Sequence, residues 1–224
     1  PQAGVMAKAI GARLVEVARD EARGWWLDPE AVARAITPRT RMIFLTNPNN
    51  PTGRLIPEAH LRVLADLAEM HGIWLVVDEV YAGLEWAGPR PPAIAGLTRF
   101  GITTGSVSKA LGLQGLRTGW MICQSPHVIR DAMILRENAS EIMNVLGEPI
   151  AEVALRPDRL AASLTQARAA DRIRRAGLSP DVVRVSLDRA GITAGFKPGT
   201  FDPFAARLPR LLDPDARLSY EGYV

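Results

Sequence analysis

"RMIFLTNPNNPTGRLIPEAHLRVLADLAEMHGIWLVVDEVY", residues 41–81, decides the fold. Its first six residues, RMIFLT (41–46), form an apolar run that stops at a cluster of Pro and Asn. Length and boundary predict a buried strand. In the next stretch, 57–72, Leu61, Leu64, Ala65 and Ala68 fall on one face at helical spacing, and Gly72 supplies a C-terminal stop. That pattern predicts an amphipathic helix. IWLVV (73–77) is a second buried strand, ended by Asp78. Strand, helix and strand joined by short connections are the repeating unit of a parallel sheet.

Outward from this unit the same grammar continues. LDPEAVARAI (27–36) predicts a helix with Asp28 as N-cap and Pro29 at its first position. ARLVEV (12–17), GITTG (101–105) and GWMIC (119–123) read as further strands. The fold class predicted is therefore α/β, a mainly parallel sheet flanked by helices. Beyond residue 125 the sequence is mainly helical, with breaks expected near Pro149 or Pro157; DVVRVSL (181–187) and GITAGF (191–196) then read as strands. This places a large domain over 1–150 and a partial C-terminal α+β domain over 151–224.

Composition narrows the function classes. The 224 residues contain 27 Lys+Arg and 24 Asp+Glu, a net charge of +3. The small basic surplus is scattered, with no basic run interleaved with aromatics, so nucleic acid is not an expected partner. Hydrophobic residues make up 47% and charged residues 23%, a globular rather than disordered balance. The single cysteine, Cys123, has no internal disulfide partner and belongs to no metal-binding cluster. That suits a reducing, cytoplasmic setting. No apolar stretch is long enough to span a bilayer, so no membrane association is expected.

In open parallel sheets ligands gather beyond the carboxyl ends of the strands. Three polar clusters follow directly on three apolar strands and should converge there. TNPNNPTG (46–53) offers Asn47, Asn50 and Thr52 in a stiff turn, although Asn, Pro and Gly are also the ordinary residues of loops. Asp78 ends a buried strand, where a carboxylate is costly unless paired. It either caps or ion-pairs locally, or it holds a positive charge on a ligand. Glu79 points the other way if the pleat continues, so the two are not an acid/base pair. SVSKALGLQGLRTGW (106–120) offers Ser106, Ser108 and Arg117 as phosphate-binding groups. Lys109 lies among small residues, where loss of water would favour a nucleophilic amine; the alternative is a solvated lysine in a glycine-rich loop.

A ligand that uses all three clusters carries a phosphate, a protonatable ring nitrogen, a hydroxyl and an aldehyde, as pyridoxal phosphate does. NPNNPTG, DEVY and SVSKALGLQGLRTGW, in this order, resemble the class I/II aminotransferase family of fold-type I pyridoxal phosphate enzymes. The resemblance covers residues 1 to about 150, and this chain is shorter than family members. It implies that Lys109 forms the Schiff base with the cofactor and then shuttles the α-proton. It implies that Asp78 pairs with the ring nitrogen, which makes the ring an electron sink. Tyr81 and Asn50 would bond the phenolic oxygen, and Ser106, Ser108 and Arg117 the phosphate. Lys109, Asp78 and Tyr81 are then the catalytic residues. The implied reaction is transamination between an amino acid and a 2-oxo acid, in a homodimer that shares its sites. Arg184, in VVRVSL, is either the arginine that takes the substrate carboxylate or an ordinary strand arginine; DRAGITAGF (188–196), beside it, resembles a glycine-rich strand earlier in the family's chain. The same core residues also serve lyases and cyclases of the family, and sensor domains of transcription regulators.

Overall fold

The computed structural model of the chain describes residues 2–85, 89–139 and 144–164. The strands expected at 181–187 and 191–196, Arg184 and most of the expected C-terminal domain lie outside these residues.

The element order is α1 (Gln2–Ala9), α2 (Pro29–Ala35), β1 (Met42–Thr46), α3 (Glu58–His71), β2 (Trp74–Asp78), β3 (Gly101–Ser106), β4 (Gly119–Cys123), α4 (Pro126–Ala139) and α5 (Gly147–Ala154). Residues 157–164 are also helical. The four strands form one sheet in the order β1-β2-β3-β4. β1 and β3 both run parallel to β2, and β4 returns antiparallel to β3. The parallel α/β sheet predicted from residues 41–81 is thus present.

Local chemistry sets the element ends. The Asp28 carboxylate accepts from the Glu30 N–H at 3.0 Å and caps α2, with Pro29 at the first helical position. Gly72 ends α3 at φ 60, ψ 39, a left-handed conformation that glycine adopts without penalty. The stripe Leu61, Leu64, Ala65 and Ala68 is buried as its spacing requires, against Leu75, Val77 and Ile94. At its C-terminal turn, Glu69 accepts from the Thr98 hydroxyl at 2.7 Å and from the Arg99 N–H at 3.1 Å. This clamps α3 to the turn that feeds β3. The Thr98 hydrogen bond, followed by Arg99, holds the Glu69 carboxyl below its ordinary value of 4.5.

Two expectations are corrected, and the helix break expected near Pro149 or Pro157 is resolved. Residues 12–17 form no strand: Leu14 and Val15 are exposed, and neither edge of the sheet takes them up. An apolar pattern that pairs with no neighbouring strand makes no ladder. β1 is not fully buried: one face, with Ile43 and Leu45, packs on the core, while Met42 and Phe44 on the other face are exposed. Pro149 does not break a helix but sits in the first turn of α5, where its missing N–H costs nothing. The break falls at 155–156, ahead of Pro157.

Candidate active site

The carboxyl ends of β1, β2 and β3 lie at one edge of the sheet, and β4 starts there because it is antiparallel. Thr46 pairs with Asp78, Asp78 with Thr104, and Ser106 with Gly119. The three polar clusters therefore leave the sheet side by side.

From the first cluster, the Asn50 side-chain amide donates to the Tyr81 hydroxyl at 3.2 Å, across 31 positions of sequence. The loop is anchored beneath this contact. The Asn47 N–H donates to the Asp78 carbonyl at 2.9 Å, and the buried Asn47 side-chain oxygen accepts from the Ile56 N–H at 2.9 Å. Asn49 donates to the Thr52 hydroxyl at 2.8 Å, which folds the turn on itself.

In the second cluster Asp78 is half-buried. Its Oδ1 accepts from the Val80 N–H at 3.1 Å and from the Thr104 hydroxyl at 3.3 Å. No hydrogen bond is made to Oδ2 among the described residues. The carboxylate is thus fixed through one oxygen and presents the other, the arrangement needed to accept from an N–H or a cation. Of the two local roles weighed for Asp78, the cap is partly met, since the Val80 contact is an Asx turn, while Asp78 makes no ion pair among the described residues.

In the third cluster the half-buried Ser106 hydroxyl accepts from the Ser108 N–H at 3.2 Å. Lys109 follows, with Nζ 5.9 Å from the centre of the Tyr81 ring, in cation–π range. Of the two settings weighed for Lys109, the solvated one is found: Lys109 is exposed, on the bend that follows β3. Arg117, eight residues on, sits in the left-handed region at φ 51 and ψ 33. The Val107 N–H donates to the Thr118 carbonyl at 3.3 Å, which brings the backbone of Arg117 beside the serines. Its guanidinium, however, donates to the Gln114 carbonyl of its own turn at 3.4 Å and makes no bond to Ser106 or Ser108.

Asn50, Asp78, Tyr81 and Lys109 are thus brought together, with Ser106, Ser108 and Arg117 along one flank. Thr104 was missed in the sequence. Its contact with Asp78 depends on the β2–β3 register, and a threonine within GITTG carries no signal of its own. Among the described residues no group of His, Cys, Asp or Glu could hold a metal ion, and no helix is long and apolar enough to cross a membrane.

The fold and this edge define an α/β protein whose parallel strands deliver a lysine, an aspartate and a tyrosine to one mouth. Comparison with known proteins gives the family. The model for aminotransferase class I and II matches residues 1–202. A probable aspartate/prephenate aminotransferase of Thermus aquaticus is 33% identical over 97% of this chain and 56% of its own length. The arginine–pyruvate transaminase of Pseudomonas aeruginosa is 38% identical over 51% of this chain and 30% of its own. A solved aspartate aminotransferase of Thermus thermophilus, a single mutant, superposes with a TM-score of 0.70 at 32% identity, covering 76% of this chain and 44% of that one. The chain belongs to the class I and II aminotransferase family. It spans roughly half or less of the length of these relatives.

Proposed function

We propose that the protein is a pyridoxal phosphate-dependent aminotransferase acting on an amino acid and a 2-oxo acid, with Lys109 as the residue that carries the cofactor. The observation that supports it most is the meeting of three separate motifs: Asn50 on Tyr81 at 3.2 Å, Lys109 Nζ 5.9 Å from the same ring, and Asp78 held through one oxygen only. The aminotransferase names of the relatives support the reaction class.

The donor set fits the cofactor group by group. Asp78 Oδ2 is an acceptor for a protonated ring nitrogen, and a carboxylate there keeps that proton in place. The Tyr81 hydroxyl and the Asn50 amide suit a phenolic oxygen. Ser106, Ser108 and Arg117 suit a phosphate, Arg117 after its guanidinium leaves Gln114. When bound, the cofactor supplies an aldehyde and an electron-withdrawing ring. Lys109 would hold the cofactor through its primary amine and, when free of it, would move the proton at the substrate Cα. Asp78 would keep the ring nitrogen protonated, and Asn50 fixes the Tyr81 hydroxyl. The reading extends to the division into a 1–150 cofactor domain and a 151–224 domain, to a homodimer, and to a cytoplasmic location.

The test uses purified protein incubated with pyridoxal phosphate. An absorbance band of lysine-bound cofactor is expected, absent in Lys109→Ala, and borohydride reduction should add the cofactor mass to the peptide containing Lys109. Half-reactions across a panel of amino acids, followed by loss of that band, then read out the substrate. A wild-type protein that acquires no band, or a reduced adduct on another lysine, refutes the proposal.

A further inference from the structure

Behind Asp78, on the opposite face of the sheet, lies a buried charge that the proposed chemistry does not use. The Glu79 side chain is 8% exposed and pairs with Arg90 at 3.0 Å. Its other oxygen accepts from the Thr103 hydroxyl and the Ile94 N–H, each at 3.4 Å. The Glu79 N–H donates to the Thr104 carbonyl and its carbonyl accepts from the Ala82 N–H, both at 2.8 Å. One residue therefore ties the corner after β2 to β3 and to the loop at 90–94. The cavity beside it, lined by Asn47, Pro48, Glu85 and Arg90 among others, is about 10 Å³, room for a single water. Glu79 consequently reaches no substrate.

A buried carboxylate is costly, and an exposed partner such as Arg90 recovers only part of that cost. Ending a strand requires no such charge; a Gly or Asn does it more cheaply. The charge instead fixes a corner whose two outward groups, Asp78 one residue before and Tyr81 two residues after, face the site.

We infer that Glu79, through its ion pair with Arg90, is a positioning residue that sets the orientation of Asp78 and Tyr81 toward the cofactor. The inference rests on the proposed function. Glu79→Gln keeps the size and an acceptor for Thr103 and Ile94 but removes the charge. Arg90→Gln removes the pair from its exposed side, and Arg90→Lys restores a cation.

The experiment measures, in the full chain, pyridoxal phosphate affinity, the visible circular dichroism band of the bound cofactor, and the thermal midpoint. Expected are an affinity loss of about tenfold in Glu79→Gln and Arg90→Gln and a changed dichroic band, with recovery toward wild type in Arg90→Lys. Should Glu79→Gln fail to fold, the two Arg90 variants carry the same comparison. Variants that bind the cofactor as tightly as wild type with an unchanged band, whatever their thermal midpoints, overturn the inference alone. A wild-type protein that binds no cofactor overturns it together with the proposed function.

Discussion

Gly105 gives the sharpest test of how the site edge is built. It lies in β3 directly opposite Trp120 of β4. A Cβ at this position would stand 2.6 Å from Trp120 Cε2 and Nε1 and 2.7 Å from Cζ2. Optimal carbon contacts lie at about 3.5–4.0 Å, so Gly105→Ala forces the indole aside or parts the strands. Overpacking of this kind costs about 1–3 kcal/mol. Two terms act against it. Alanine in a strand gains about 0.5–1 kcal/mol over glycine through the unfolded chain. Trp120 is also 37% exposed and has room to swing outward, which favours the low end of the overpacking cost. The net expectation is a loss of at most about 0.5 kcal/mol. In a Trp120→Ala background the obstruction is gone, and the same substitution should become neutral or stabilising by up to ~1 kcal/mol. The difference between backgrounds, about 1 kcal/mol, is the signature, read as the coupling energy of a double-mutant cycle. Urea unfolding followed by far-ultraviolet circular dichroism, compared at constant m, measures all four proteins. Equal effects of Gly105→Ala in the two backgrounds would refute the claim that the indole is what keeps position 105 free of a side chain.

Other perturbations address other links. Thr104→Val keeps the shape and removes the hydroxyl that reaches Asp78 Oδ1 at 3.3 Å, leaving the Val80 N–H as the remaining donor. A roughly threefold to tenfold weakening of pyridoxal phosphate binding is expected by equilibrium titration, a modest figure because the bond is long. Leu64 is fully buried on the inner face of α3, so Leu64→Ala should cost about 2–5 kcal/mol in denaturant unfolding with little change in m. Glu69 has a folded pKa below its ordinary 4.5, so its contribution is fully present above that value and disappears as pH falls through the folded pKa. The stability gap between wild type and Glu69→Gln should accordingly be constant near neutrality and narrow below about pH 4.5. A gap independent of pH would assign the clamp to packing instead of charge.

What the sequence disclosed and what it withheld divide along a physical line. Elements bounded by their own chemistry were legible: Asp28 and Pro29 start α2, Gly72 stops α3, and the apolar stripe of α3 is complete within four positions of Leu64. So was the meeting of the motifs at one edge, since each follows the carboxyl end of a strand and parallel pairing brings those ends together. Features that depend on what lies across a gap were not. Residues 12–17 have the pattern of a strand, yet neither edge of the sheet takes them up. Lys109 has small neighbours in sequence, yet it is exposed, because burial is set by what covers a bend and not by what precedes it.

The adjacent pairs Asp78–Glu79 and Thr103–Thr104 show the limit most clearly. As letters the two threonines are interchangeable. In the folded sheet the pleat sends Asp78 and Thr104 to one face, joined at 3.3 Å, and Glu79 and Thr103 to the other, joined at 3.4 Å. A register shift of one residue would exchange the partners, setting the carboxylate meant for the site against the wrong threonine. Register is fixed by the whole ladder from Leu75–Gly101 to Asp78–Thr104, and so by the packing of Leu75 and Val77 on α3. The chemistry of the edge is thereby coupled to the core: the residues that hold Asp78 in place include apolar ones that never approach the site.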